Sequence, residues 1–201
     1  MLFAVRRLAG LALVLAAAPP ALAVRCSPAR HVLAEDLEMW GRRIGEDYRF
    51  GVADGRLVWL SFLLLRLPEF RTLVYLRLRA CGLGWRALAV LLALVYRPQA
   101  ALSVDCDDVG PGLFFQHGFA TIVSAERIGR DCLIGQQVTI GWGPGGRPVL
   151  EDGVAVRAGA IVVGGVRLGR GAHIGAGAVV SEDVPAHHLV TSPTPDVRRA
   201  T

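Results

Sequence analysis

The apolar residues of the second half of the chain fall into a period of six. An aliphatic or aromatic residue stands at Val109, Phe115, Ile122, Ile128, Ile134, Ile140, Leu150, Val156, Val162, Leu168, Ile174 and Val180. Four places after most of these comes a second residue suited to an interior: Leu113, Phe119, Cys132, Val138, Val154, Ala160, Val166, Ala172, Ala178 and Val184. Alternation along extended backbone then sends the first and fifth residues of each rung inward, and the second, third and sixth outward. No helical period fits. Short rungs in steady phase predict a parallel β-helix over 103–185, in which three flat rungs make one triangular coil. Two interruptions break the count, one residue inserted between Phe115 and Ile122 and four between Ile140 and Leu150. The second falls in WGPGGRP, whose glycines and prolines predict a loop thrown out from the coil.

The first hundred residues follow another rule. Residues 1–24 run from two arginines into an apolar stretch that ends in a small-residue A-L-A, the layout of a signal-like or anchor-like segment. Pro19 and Pro20 and the short run argue against a spanning helix. Leu57–Leu65 and Ala87–Tyr96 are also well short of the roughly 20 residues needed to cross a bilayer, so they predict buried or interfacial helices. Between them, LPEFRTLVYLRLRACGLGWRALAVLLALVYRP sets arginines among leucines. That pattern suits an acidic membrane surface; the alternative is a helical pack whose arginines face solvent or a partner subunit. Gly51 to Gly55 and Arg97 to Ala100 punctuate the region. The expected organisation is thus a segment 1–24, an α-helical region 25–102, the coil, and a tail 186–201.

Composition narrows the chemistry. The chain is 53% hydrophobic with a formal charge of +5, and it has neither lysine nor asparagine. Lysine Schiff bases and phosphate-loop lysines are excluded. The positive charge suits an anionic partner such as the phosphates of a nucleotide cofactor. Cys26, Cys81, Cys106 and Cys132 share no short spacing, so neither a zinc site nor a disulfide framework is expected.

His117 is the third residue of the rung begun by Phe115 and points out of the coil. Three rungs make a turn, so Phe115, Ile134, Val156 and Ile174 should stack, and so should the third places His117, Gln136, Ala158 and Ala176. A histidine and a glutamine heading a column of alanines make a narrow lane with one titratable group. An imidazole, which ordinarily titrates near pH 6.5, can take a proton from a hydroxyl at neutral pH. The bland reading is a surface histidine with no task. His31, His173, His187 and His188 show no spacing that would bring three to a metal.

GLFFQHGFATIVSAERIGRDCLIGQQVTIGW, followed by EDGVAVRAGAIVVGGVRLGRGAHIGAGAVVSEDVP, resembles the serine O-acetyltransferases, and most of all their relatives in bacterial polysaccharide gene clusters. PEFRTLVYLRL is similar to the helical segment before the coil in those relatives. The resemblance implies a left-handed coil, a homotrimer, acetyl-CoA as co-substrate in the groove between adjacent coils, and direct transfer without an acyl-enzyme. By position it implies His117 as general base and Asp105 as the carboxylate that orients the imidazole and stabilises its protonated form. Ala158, Gly159, Ala176 and Gly177 would flank the pantetheine arm, beside Gln136, and arginines such as Arg157, Arg170 or those of the tail would meet its phosphates. Serine-specific members carry an aspartate where Gln116 stands and a histidine where Arg147 precedes Pro148. Gln116 and Arg147 are therefore the candidate acceptor-binding residues, and a sugar or glycan precursor competes with serine as acceptor. Two rivals remain, a coil serving as a structural or interaction subunit and a metal-dependent enzyme of the carbonic-anhydrase type. We expect no metal and no nucleic-acid partner. A cytoplasmic location is expected, with the N-terminal region in contact with the inner membrane face.

Overall fold

The computed structural model describes residues 10–44 and 55–193. The rest of the signal-like segment, most of the Gly51–Gly55 punctuation and the end of the tail lie outside them. Residues 10–16 are helical, and five further helices follow: α1 (Ala18–Cys26), α2 (Arg30–Ile44), α3 (Arg56–Arg66), α4 (Pro68–Ala80) and α5 (Leu83–Val95). Proline opens α1 and α4, where a missing N–H costs nothing. Among the described residues, no helix is long and apolar enough to cross a membrane.

The second half is a parallel β-helix of about five turns. Its strands are β1 (Leu102–Asp105), β2 (Asp108–Val109), β3 (Phe114–Gln116), β4 (Thr121–Ser124), β5 (Arg127–Ile128), β6 (Leu133–Gly135), β7 (Thr139–Gly141), β8 (Val149–Leu150), β9 (Ala155–Val156), β10 (Ile161–Val163), β11 (Arg167–Leu168), β12 (His173–Ile174), β13 (Val179–Val180) and β14 (Leu189–Val190). Every third strand pairs, which makes three faces, except that β14 follows β12 because the rung between them contributes only a Leu168–Val184 bridge. The first is β1-β4-β7-β10-β13, the second β11-β8-β5-β2, and the third β14-β12-β9-β6-β3. Phe115, Ile134, Val156 and Ile174 stack as expected, and Val190 continues the column. Parallel ladders leave no rung able to slip alone, because a one-residue shift would turn its apolar residue to solvent.

Two inward assignments fail. Val123, not Ile122, pairs with Val104 and Ile140 and is buried, whereas Ile122 is 57% exposed. Phe119 is also exposed, and Thr121 fills the interior there, its hydroxyl bonded to the Gly135 carbonyl at 3.1 Å. The step from Phe115 to Val123 therefore carries two extra residues, taken up in a corner where His117, Gly118 and Ala120 all have positive φ. Apolar character could not separate Ile122 from Val123; the corner geometry does. The four-residue insertion forms a tight hairpin in which Gly143 and Gly146 exchange backbone hydrogen bonds of 3.1 Å.

The helices bury one face of the coil. Phe114, Leu133 and Ala155 alternate with the inward column and so point outward from the third face, yet all three are buried. Trp40 of α2 packs on Phe114, its ring 4.8 Å away and its indole N–H donating to the Leu113 carbonyl at 3.0 Å. Beside it, Arg77 of α4 forms a bidentate pair with the fully buried Asp36 of α2, at 3.0 and 3.1 Å. The same guanidinium donates to the carbonyls of Val109 and Gly110, and the Gly112 amide donates to Asp36 at 2.7 Å. Two helices and the first turn of the coil thus meet at one charge pair.

Candidate active site

His117 follows β3 at the corner between the third and first faces, with φ of 66°. The register that pairs Gln116 with Gly135 carries on to set His117, Gln136, Ala158 and Ala176 in line. Backbone bonds run along this corner, from Gly159 N–H to the Gln136 carbonyl at 2.9 Å and from Gly177 N–H to the Ala158 carbonyl at 3.0 Å. Gln137, Gly159 and Gly177 all turn in the left-handed region, where glycine carries no steric penalty. The lane is therefore walled by groups no larger than a methyl at 158, 159, 176 and 177. Gly135 lies under it, and a Cβ there would stand 2.7 Å from the Ala158 amide nitrogen, so the rungs stack closely only because the side chain is missing.

On its other side His117 borders a cavity of about 270 Å³ between α2, the start of α4 and the coil. Trp40, Leu67 and Phe114 give it apolar walls, and Gln116, Glu69, Arg43 and Arg157 supply the polar groups. Glu69 is the functional candidate that sequence reasoning missed. It lies in the first turn of α4, where a negative charge is favoured by the helix N-terminus. Its Oε2 is buried and finds no hydrogen-bond partner among the described residues. A Cβ built on Gly118 would stand 3.0 Å from Glu69 Cγ, so the glycine after His117 is what admits this side chain. Burial raises the Glu69 carboxyl above its ordinary value; its own backbone amide and the charge on His117 pull it back. The PEF step carried the only available signal, a carboxylate at a helix start, but nothing in the spacing tied it to a residue 48 positions away.

The pH consequence has a definite sign. With the folded pKa raised, stability falls as pH climbs from the ordinary carboxylate value through the raised one, and the penalty is complete above it. Glu69→Gln should therefore match or exceed the parent's melting temperature at about pH 8, with the advantage gone near pH 4. On the general-base role proposed for His117 below, turnover should drop by about tenfold in the same variant, because the imidazolium loses a nearby negative charge. A structural role alone would lower both quantities together, and parallel melts and rates separate the cases.

Asp105 and Arg147 stand elsewhere. Neither lines the His117 cavity. Asp105 lies at the opposite edge of the first face, largely exposed, accepting a hydrogen bond from Ser124 at 3.1 Å and facing Arg147 at 3.5 Å. Arg147 also lies over the exposed Trp142 ring, 5.5 Å from its centroid. Of the arginines proposed for phosphates, Arg157 borders the cavity and Arg170 pairs with Asp152 at 3.7 Å. Cys106 and Cys132 are buried free thiols; burial pushes Cys132 up to about 12 and raises Cys106 as well. Burial that raises a thiol disfavours the reactive thiolate, which fits structural rather than nucleophilic cysteines. Among the described residues no group of His, Cys, Asp and Glu could hold a metal ion.

Residues 147–182 match the family described as bacterial transferase hexapeptide (six repeats). The serine acetyltransferase of Escherichia coli K12 is 35% identical over 114 residues, which is 52% of this chain and 40% of that enzyme. The serine acetyltransferase of Synechococcus elongatus is 42% identical over 84 residues, 39% of this chain and 34% of that enzyme. The chain thus spans less than half the length of the curated relatives it matches. Among solved structures, Neisseria gonorrhoeae serine acetyltransferase in complex with serine aligns with a TM-score of 0.59 at 27% identity, covering 86% of this chain and 70% of that one. The soybean enzyme complexed with serine gives 0.59 at 29% identity, over 83% and 68%. Over the coil the chain is thus similar in sequence to serine acetyltransferases, residues 147–182 carry the hexapeptide transferase repeat, and over most of its length the fold is similar to that of solved serine acetyltransferases.

Proposed function

We propose that this chain transfers an acetyl group from acetyl-CoA to the hydroxyl of a small acceptor, with His117 as general base. The observation that carries the reading is the position of one imidazole between a cavity and a lane of small residues. The lane suits a slim pantetheine arm, with Gln136 at its head and Ala158, Gly159, Ala176 and Gly177 along it. Arg157 borders the cavity beside His117, so it suits the acceptor rather than phosphates at the far end of the pantetheine arm. The cavity, bordered by Gln116, Glu69 and Arg43, suits the acceptor. His117 takes the hydroxyl proton as the acceptor oxygen bonds to the thioester carbonyl carbon. As the carbon–sulfur bond breaks, the imidazolium returns that proton to the departing sulfur, so the products are an ester and a free thiol. The nearby Glu69 carboxylate favours the transient imidazolium.

The assembly belongs to the same proposal. Ile122, Ile161 and Val179 project from the first face, all exposed in a single chain and aligned along one strip. Such a strip suits the coil of another copy, consistent with a homotrimer. His117 stands at one edge of that face, and Asp105 with Arg147 at the other. Packing this face between copies would set the Asp105 edge of one beside the His117 edge of the next. Asp105 is then an orienting carboxylate from the neighbouring subunit, and Arg147 an acceptor contact.

Serine is the first acceptor to test, because the relatives in sequence and structure are serine acetyltransferases. A sugar hydroxyl is the second. Trp142 beside Arg147 is 69% exposed and offers a flat apolar plate with a charged rim. The decisive measurement is thiol release from acetyl-CoA against serine, homoserine and a panel of sugars. Turnover with at least one acceptor well above the hydrolysis rate is expected. Loss of no acetyl-CoA with any acceptor would instead support a coil kept for interaction.

A further inference from the structure

Helix α5 carries one charged residue, Arg86, and is otherwise apolar. Ala89 and Leu92 face the protein and are buried, yet Leu83, Val90, Leu91, Leu94 and Val95 are 84, 48, 62, 70 and 76% exposed. Leu83, Ala87, Val90, Leu91 and Leu94 follow the i, i+4, i+7, i+8, i+11 spacing of one helical stripe, and Arg86 flanks it. A helix with no polar face is normally buried on every side, and this one is covered on one side only. The patch continues beyond α5. The Tyr96 hydroxyl donates to the Ala16 carbonyl at 2.9 Å, joining the end of α5 to the helix of residues 10–16, where Leu11 and Leu15 are also exposed.

The helical segments that carry the patch hold arginines and no acids, and the one arginine buried among them, Arg77, is neutralised by Asp36. From Phe70 to Val104 the chain holds Arg71, Arg77, Arg79, Arg86 and Arg97 and no acid, and from Gly10 to Ala34 it holds Arg25 and Arg30 and no acid. Arg79, Arg86 and Arg97 are exposed. The nearest acids on the coil side, Asp105 and Asp107, border a pocket with Arg79 and Arg86. A second copy docked on this stripe would set arginine against arginine. An anionic surface would not.

We propose that the exposed face of α5, extended by residues 10–16, docks on the headgroup region of an anionic phospholipid leaflet. The apolar side chains enter the interface, Arg86 and Arg97 meet lipid phosphates, and no segment crosses. This would hold the transferase coil at a membrane surface, and it stands independently of which acceptor the coil uses.

The test is co-sedimentation of the full chain with vesicles of phosphatidylcholine alone or with about a third phosphatidylglycerol. Binding to the anionic vesicles, weakened by salt, is expected. Leu91→Gln with Leu94→Gln should lower the partition coefficient by at least about tenfold, since each leucine loses its burial. Arg86→Gln with Arg97→Gln should lower it by about fivefold per arginine on the anionic vesicles only, the scale of one basic side chain at such a surface. The leucine pair lies on exposed surface, and its thiol release in vesicle-free buffer should match the parent, so loss of binding is separated from loss of fold or catalysis. Failure of the parent to bind anionic vesicles would overturn the proposal, and so would undiminished binding by the leucine variant. Dissociation of a larger oligomer by the leucine variant, without vesicle binding by the parent, would overturn it too and assign the stripe to a second copy.

Discussion

Replacing His117 should lower turnover by a factor on the order of 10² to 10⁴, the usual contribution of a positioned general base. The choice of substituent matters. With φ of 66°, the backbone at 117 sits where asparagine is tolerated better than alanine. His117→Ala therefore adds a local backbone cost to the loss of the imidazole, and His117→Asn largely avoids it. The expectation is that both variants lose turnover to the same extent, keep the parent's oligomeric state, and bind acetyl-CoA with little change, because the lane residues are untouched. Single-turnover rates with saturating acetyl-CoA, together with a direct binding measurement, give the comparison. An asparagine variant with near-parental turnover would remove His117 from the chemistry.

The second large effect is on stability. Arg77→Met leaves the fully buried Asp36 carboxylate without its bidentate partner and frees the carbonyls of Val109 and Gly110. Burial already pushes the Asp36 carboxyl up, and the guanidinium is the largest influence holding it down. Removing one member of such a pair costs about 3–5 kcal/mol, which should be visible in a denaturant titration at fixed protein concentration. The companion variant sharpens the result. Asp36→Leu together with Arg77→Met removes both charges and should recover a large part of that loss, because desolvation of the ions goes with them. Recovery should be incomplete, since the Gly112 amide and the two carbonyls still lack partners. A single variant as stable as the parent would show that α2, α4 and the first coil turn are held by apolar packing around Trp40 and Phe70 alone. Activity should fall with stability in the single variant, because the same helix α4 carries Glu69 to the cavity.

The site is therefore tied to the fold through α4. Arg77 anchors the helix to the start of the coil, and Glu69, two turns earlier, reaches the corner at Gly118. A change that tilts α4 would move the carboxylate while leaving the coil intact. This divides the machinery into a rigid part and an adjustable one. The lane is built from backbone ladders, in which each rung is held by the next. The carboxylate depends on a single helix start.

Much of the architecture was legible from the repeat alone. A six-residue period leaves each apolar residue only one place to go, so the stacking of Phe115, Ile134, Val156 and Ile174 followed from counting, and with it the line His117, Gln136, Ala158 and Ala176. The count faltered only at the corner after His117, where Ile122 and Val123 are equally apolar and the extra residues could be placed on either side. What counting could not supply was anything that depends on a second element arriving from far along the chain. The outward residue Phe114 is buried because α2 lies on it. Glu69 shares a cavity with His117, and Asp105 faces Arg147 rather than His117, because helices and hairpins close over particular edges of the coil. Periodicity is a local constraint that repeats, so it survives in one dimension. Contacts between unlike elements are set by packing and charge burial in three dimensions, and only the folded chain decides them.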